Sequence, residues 1–146
     1  MVVKNPTFAK KEADSYLALR KRIDLFFKER GLSQKANGAM VAKTAFYLLL
    51  LLAAYGNLFS QIPAGWEVLW KYLALGIASA LTTMNISHDG LHGAYSSSKR
   101  LNRSLGYLMD LCGKSSYHWG KEHVVDHHTF TNIGGHDHNI GSLKRL

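Results

Sequence analysis

The chain has 146 residues, a formal net charge of +8 and one cysteine. A single cysteine excludes an internal disulfide framework and a cysteine-built zinc ribbon. The basic residues flank apolar segments of membrane length, which suits anionic headgroups or an anionic acyl carrier and argues against nucleic acid as a partner.

No apolar run follows the first basic residues, so no cleavable signal peptide is expected. Within 7–30, Tyr16, Leu19, Ile23 and Phe26 recur at spacings of three and four, which predicts an amphipathic helix. Lys10, Lys11, Arg20, Lys21, Arg22 and Lys28 fill much of its other face, and Gly31 supplies a stop. Such a stripe usually packs on a core; the alternative is a helix lying on a membrane surface.

Residues 44–62 carry no charge and include the run Tyr47-Leu-Leu-Leu-Leu-Leu52. As a helix they reach about 28 Å, close to the thickness of a hydrocarbon core. Pro63-Ala-Gly65 is a turn signal, and Trp66 and Trp70 stand where aromatic residues favour the membrane interface. Residues 68–86 are a second stretch of spanning length, with Lys71 near the edge from which it can snorkel. Lysines and arginines crowd the segment before the first stretch, are absent from the turn, and resume after the second at Lys99, Arg100, Arg103, Lys114 and Lys121. The positive-inside rule therefore places both flanks in the cytoplasm. All eight histidines follow the second stretch, on that side.

Two histidine groups stand out. In His88-Asp-Gly-Leu-His92, helical continuation past Ile86 sets both imidazoles on one face. In His123-Val-Val-Asp-His127-His128 the first two share a face, and His128 is expected to project roughly 100° away, toward a second metal. Neutral imidazole is a common ligand for first-row transition metals. His118 stands alone and reads as an ordinary polar side chain. There is no His-Glu-x-x-His for a zinc hydrolase, and no Glu-x-x-His pair of the soluble di-iron bundles. The residues by themselves thus point to a histidine-rich metal site at a membrane face.

The segments His88-Asp-Gly-Leu-His92-Gly-Ala-Tyr-Ser96 and His123-Val-Val-Asp-His127-His128-Thr-Phe-Thr-Asn132 resemble the first two histidine boxes of the membrane fatty acid desaturases. The similarity is greatest to the bacterial linoleoyl-CoA and acyl-CoA group, of front-end type, and Asn132-Ile-Gly-Gly-His-Asp137 after the second box is similar to that group too. Val124 and Asp126 depart from the usual pattern. The resemblance implies a di-iron centre with His88, His92, His123, His127 and His128 as ligands, and dioxygen as co-substrate. It also implies a fatty acyl-CoA or acyl-lipid substrate, and an external electron donor that is either a ferredoxin or a b-type cytochrome. Asp89, Asp126, Asn132 and His136 are the candidates to orient the ligands, with His138 grouped beside His136. Removing hydrogen from an unactivated methylene needs a strong oxidant, because no proton there is acidic and no group can leave.

The fold expected is all-α: an integral membrane helical hairpin capped by cytoplasmic helices that carry the histidines. Its parts are a cytoplasmic amphipathic region at 1–43, two transmembrane helices at 44–87, and a histidine-box region at 88–146. Gly90, Gly93 and Gly106 are candidates for close packing in that cap. The family's third box and second pair of spans have no counterpart in the sequence, so a truncated and by itself inactive desaturase is expected. Two other readings stand beside it: a lipid hydroxylase on the same scaffold, and a non-catalytic membrane protein that binds or moves metal ions.

Overall fold

The first helix, α1 (Lys10–Glu29), ends where the sequence supplies a glycine. Gly31 takes φ +59°, the Gly31 N–H donates to Lys28 O (3.2 Å) and the Leu32 N–H to Phe27 O (2.9 Å). This pair of bonds is a Schellman closure, which satisfies carbonyls that the last turn leaves without partners. The structure, a computed structural model, describes residues 10–60, 64–134, 136, 137 and 140, and the side chains from residue 14 onward. The chain divides into two compact units, Met1–Gln34 and Lys35–Leu146. In the first unit Tyr16, Leu19, Ile23 and Phe26 are exposed, Arg30 lies 4.1 Å over the Phe26 ring, and Gln34 Nε2 donates to Asp24 (2.9 Å).

In the second unit, α2 (Gly38–Ser60) begins six residues before the uncharged run. The Asn37 side chain accepts the Met40 N–H (3.0 Å), so a polar cap sets the helix start. Among the described helices, α2 alone is by itself long and apolar enough to cross a membrane. Only 17% of its most apolar window is buried, whereas a soluble core helix of that composition would be mostly covered. Pro63 lies outside the described residues; Gly65, at φ +57°, turns the chain into α3 (Trp66–Thr82).

At 17 residues, α3 is shorter than the second apolar stretch of the sequence. Its hydrogen-bond ladder widens to a π-helical segment over Thr83–Ser87 and then continues as α4 (His88–Leu91), so 66–91 is one helical run. Such π segments occur inside α-helices and cluster at functional sites. The two long helices meet through Leu51, Ala54 and Ala78, against which Leu50, Tyr55, Leu75 and Cys112 pack. Their outward side chains, including Phe46, Leu49, Leu52, Trp66, Trp70 and Ile77, are exposed.

Above the hairpin, α5 (Lys99–Gly106) is capped by Ser98, whose hydroxyl accepts the Leu101 N–H (3.3 Å). It crosses α4 at very short range. A Cβ added to Gly90 would stand 2.7 Å from Asn102 O, and one added to Gly106 would stand 2.8 Å from Leu91 Cδ2. Gly93 serves a different need: it sits at φ +66°, and an added Cβ would meet only Asn102 Nδ2 at 3.9 Å. Buried Asn102 clamps the intervening loop, accepting the Ser96 N–H (2.8 Å) and donating to Ser96 O (2.7 Å). Tyr95 Oη donates to Thr44 Oγ1 (2.9 Å), which in turn donates to Met40 O (2.9 Å), tying the loop to α2. Two further short helices follow, α6 (Leu108–Leu111) and α7 (Ser116–Trp119), and then a second π-helical segment, Gly120–His127. No strand occurs among the described residues, and the all-helical expectation holds.

Candidate metal centre

His88 opens α4 and His92 caps it, so one α-helical turn brings the two rings together, with centroids 4.5 Å apart and planes tilted by 52°. The third ring arrives from the second π segment. One nitrogen from each of His88, His92 and His123 lies within 4.8 Å of the others. His128 stands beside this trio, its ring 4.8 Å from that of His92 and 4.9 Å from that of His123. His127 flanks His123 and His128 at 5.2 and 5.3 Å.

The backbone of the second group explains why His128 does not diverge as an α-helix predicts. In an α-helix the fifth residue on from His123 has turned well past it. A π-helix closes i→i+5, which carries both the fourth and the fifth residue back over the first. The second π segment therefore turns His123, His127 and His128 to one side, and the expected separation of His128 from its neighbours is absent.

Two rings of the cluster are biased toward the neutral imidazole. His92 is held below the ordinary histidine range, first by burial and then by the neighbouring His88, His128 and His123. His123 is held low in the same way, first by burial and then by His128, His127 and His88. Crowding makes protonation of any one ring raise the cost of protonating the next. His92 Nε2 is buried and has no hydrogen-bond partner. A buried polar atom without a partner is costly unless something absent from the protein part satisfies it. Convergent neutral nitrogens, one of them orphaned, fit a first-row transition metal.

Two contributors were not singled out from the sequence. Trp119 stacks on His123 (centroids 4.3 Å, planes 28° apart) and presents its edge to His88 at 5.5 Å. It lies four residues before His123, a helical spacing that could have drawn attention to it. Asp137, whose side chain is wholly buried, places Oδ1 2.9 Å from His127 Nδ1, while its Oδ2 accepts the Asn132 N–H (2.8 Å). Asp137 closes the segment noted after the second box, so its signal was present in the chain.

Asp89 Oδ1 is 3.3 Å from His88 Nδ1, long for a charge-assisted bond. Asn132 takes part through its backbone, at φ +64°. The Asp126 carboxylate has no hydrogen bond or ion pair among the described residues, and its backbone carbonyl accepts the Phe130 N–H (2.9 Å). His136 faces Phe130, with ring centroids 5.1 Å apart, and His118 is exposed beside Tyr117. His138 lies outside the described residues.

A family profile described as fatty acid desaturase matches residues 64–145. The sn-1 linoleoyl-lipid 6-desaturase of Synechocystis sp. is 41% identical over 130 residues, covering 86% of this chain and 36% of that protein. The enzyme of the same name from Arthrospira platensis is 37% identical, covering 82% of this chain and 32% of the relative. The acyl-lipid (8-3)-desaturase of Physcomitrium patens is 32% identical, covering 87% and 26%. The chain thus spans about a third of the length of the curated relatives it matches. No solved structure matches it.

Proposed function

The chain belongs to the fatty acid desaturase family, and from that premise we propose that its histidine cluster forms part of the iron centre of an enzyme that introduces a double bond into the acyl chain of a membrane lipid. The observation that carries this reading is the convergence of His88, His92 and His123 within 4.8 Å, with His92 Nε2 buried and unpartnered. The reaction takes dioxygen, two electrons and two protons, removes one hydrogen atom from each of two adjacent methylenes, and releases two waters. The electrons come from a separate carrier protein, a ferredoxin or a b-type cytochrome. The names of the relatives favour an acyl-lipid over an acyl-CoA substrate.

Iron, when bound, supplies the one-electron redox chemistry that an unactivated C–H bond requires. His88, His92, His123, His127 and His128 would hold a pair of irons. Asp137 engages His127 Nδ1, which assigns the proton to that nitrogen and leaves Nε2 as the free lone pair. Trp119 covers one side of the trio and limits the approach of water. The two helical arms, α2 and residues 66–87 of the second run, span the bilayer, with the histidines and the N-terminus in the cytoplasm. The distribution of lysine and arginine supports that orientation.

The test is expression of the protein with its complete reading frame, followed by iron analysis and mass spectrometry of its lipids. A product two mass units lighter than its precursor, with bound iron, is expected. A gain of sixteen would make the enzyme a hydroxylase. Metal uptake without oxygen consumption would replace both readings with a metal-handling protein.

A further inference from the structure

We propose that Lys99, Arg100 and Arg103 form a binding site for the phosphate-bearing headgroup of an anionic bilayer lipid. All three are exposed, and none is paired with a carboxylate among the described residues. With Ser104 and Tyr107 they line a cleft of about 300 Å³ on the outer side of α5. Three cations within five residues, followed by the hydroxyls of Ser104 and Tyr107, make a strongly anion-attracting surface.

What lies next to that cleft selects a lipid over a soluble anion. A second cleft of about 600 Å³ shares Ser104 and Tyr107 and continues to Leu111 and Tyr117. Tyr107, Leu111 and Tyr117 are 56%, 65% and 75% exposed and together give this cleft an apolar and aromatic wall. The end of α6 is also held against the apolar middle of the hairpin: Tyr55 Oη donates to Leu111 O (2.7 Å), and Cys112 packs against the Leu51, Ala54 and Ala78 cluster. Along α5 and α6 the exposed side chains run from basic Lys99, Arg100 and Arg103 through Tyr107 to Leu111, with the Asp110 carboxylate beside Leu111 accepting the Ser116 N–H (3.0 Å). That order matches the layers of a bilayer face, where cations meet headgroups, tyrosine sits at the interface and aliphatic side chains enter the acyl region. The site rests on the membrane placement of α2 and is independent of the chemistry at the histidines, so turnover is not its readout.

The experiment uses the protein reconstituted into phosphatidylcholine vesicles carrying spin-labelled phosphatidylglycerol or spin-labelled phosphatidylcholine. The motionally restricted fraction measures relative association of each lipid. Wild type should prefer phosphatidylglycerol, and the triple variant K99Q/R100Q/R103Q should lose that preference, by about fivefold for each cation removed, the ratio equivalent to ~1 kcal/mol per basic residue at an anionic face. The charge-keeping variant K99R/R100K/R103K should retain it, and Y107A should weaken association of both lipids. Inorganic phosphate at millimolar concentration should leave the lipid preference unchanged. The proposal fails if the triple variant keeps the preference or if phosphate abolishes it. It fails equally if the triple variant leaves lipid association intact while slowing reduction by an acidic carrier protein, which would make the patch a protein-docking surface. Failure to enter vesicles at all would instead count against the membrane placement.

Discussion

The two histidine groups reach the same cluster by different means. His88 and His92 are positioned by packing: α4 lies against α5 at a distance only Gly90 and Gly106 allow, and the nearest carboxylate, Asp89, is 3.3 Å from His88. His127 is positioned by a buried carboxylate, Asp137, at 2.9 Å, and the segment carrying it has no fully buried side chain of its own. The first group is thus part of a rigid helical run that begins in the hairpin. The second depends on a π-helical backbone and a hydrogen bond reaching back from ten residues further on. Identical His-x-x-x-His spacing therefore conceals two different supports, one steric and one polar.

The difference can be broken from either side. His92→Ala removes the orphaned nitrogen at the centre of the cluster and should lower iron affinity by more than the roughly 10–100-fold typical of losing an outer partner. Metal analysis after dialysis against a graded chelator reads this directly; retention of iron would show that His92 is not a ligand. Asp137→Ala should cost roughly 10–100-fold in metal affinity with little change in helix content, while Asp137→Asn should fall between, because an amide oxygen still accepts from His127. Cobalt titration followed by visible absorption separates the three proteins. An unchanged affinity in the alanine variant would assign Asp137 to packing alone.

Gly90→Val attacks the steric support. Its Cβ would meet the Asn102 carbonyl at 2.7 Å, which is backbone and cannot swing aside, so a loss of about 1–3 kcal/mol is expected in detergent unfolding. Gly93→Ala should behave differently, since the strain there comes from φ and not from a neighbour. Tyr95→Phe deletes the bond to Thr44 and should cost about 1 kcal/mol, leaving metal affinity within twofold as a rough bound. A large loss of metal in that variant would show that the loop anchor and the cluster are one cooperative unit.

The smallest effect is on pH. His92 and His123 have folded pKa values below their unfolded value of 6.5, so the unfolded chain takes up protons first on acidification. The metal-free protein should therefore hold full stability above about pH 6.5 and lose it as pH falls from there through the folded values. Denaturant midpoints measured between pH 8 and pH 5 should fall monotonically. A midpoint that rises toward pH 5 would contradict the burial of these two rings.

The end of α1 at a glycine, the apolar length of α2 and the pairing of His88 with His92 were all legible in the chain, because each rests on local rules of capping, hydropathy and helical period. The start of α2 was not, since Asn37 caps the helix before the charge-bearing turn that contains Lys43. The placement of His128 does not follow from an α-helical period, because the backbone adopts the wider π turn. The roles of Trp119 and Asp137 were not legible, because one is an aromatic residue whose partner is chosen by ring geometry and the other acts across ten residues.

By itself, then, the sequence determined which residues have the chemistry to bind a metal, where the apolar stretches run and that the histidines follow both of them along the chain. Those properties follow from side-chain type and short-range order along the chain. The tertiary structure alone decided that α4 and the second π segment face each other, that Gly90 and Gly106 permit it, and that a buried aspartate holds His127. These contacts join residues distant in sequence, and their energies depend on packing distance and burial, which composition and periodicity do not encode.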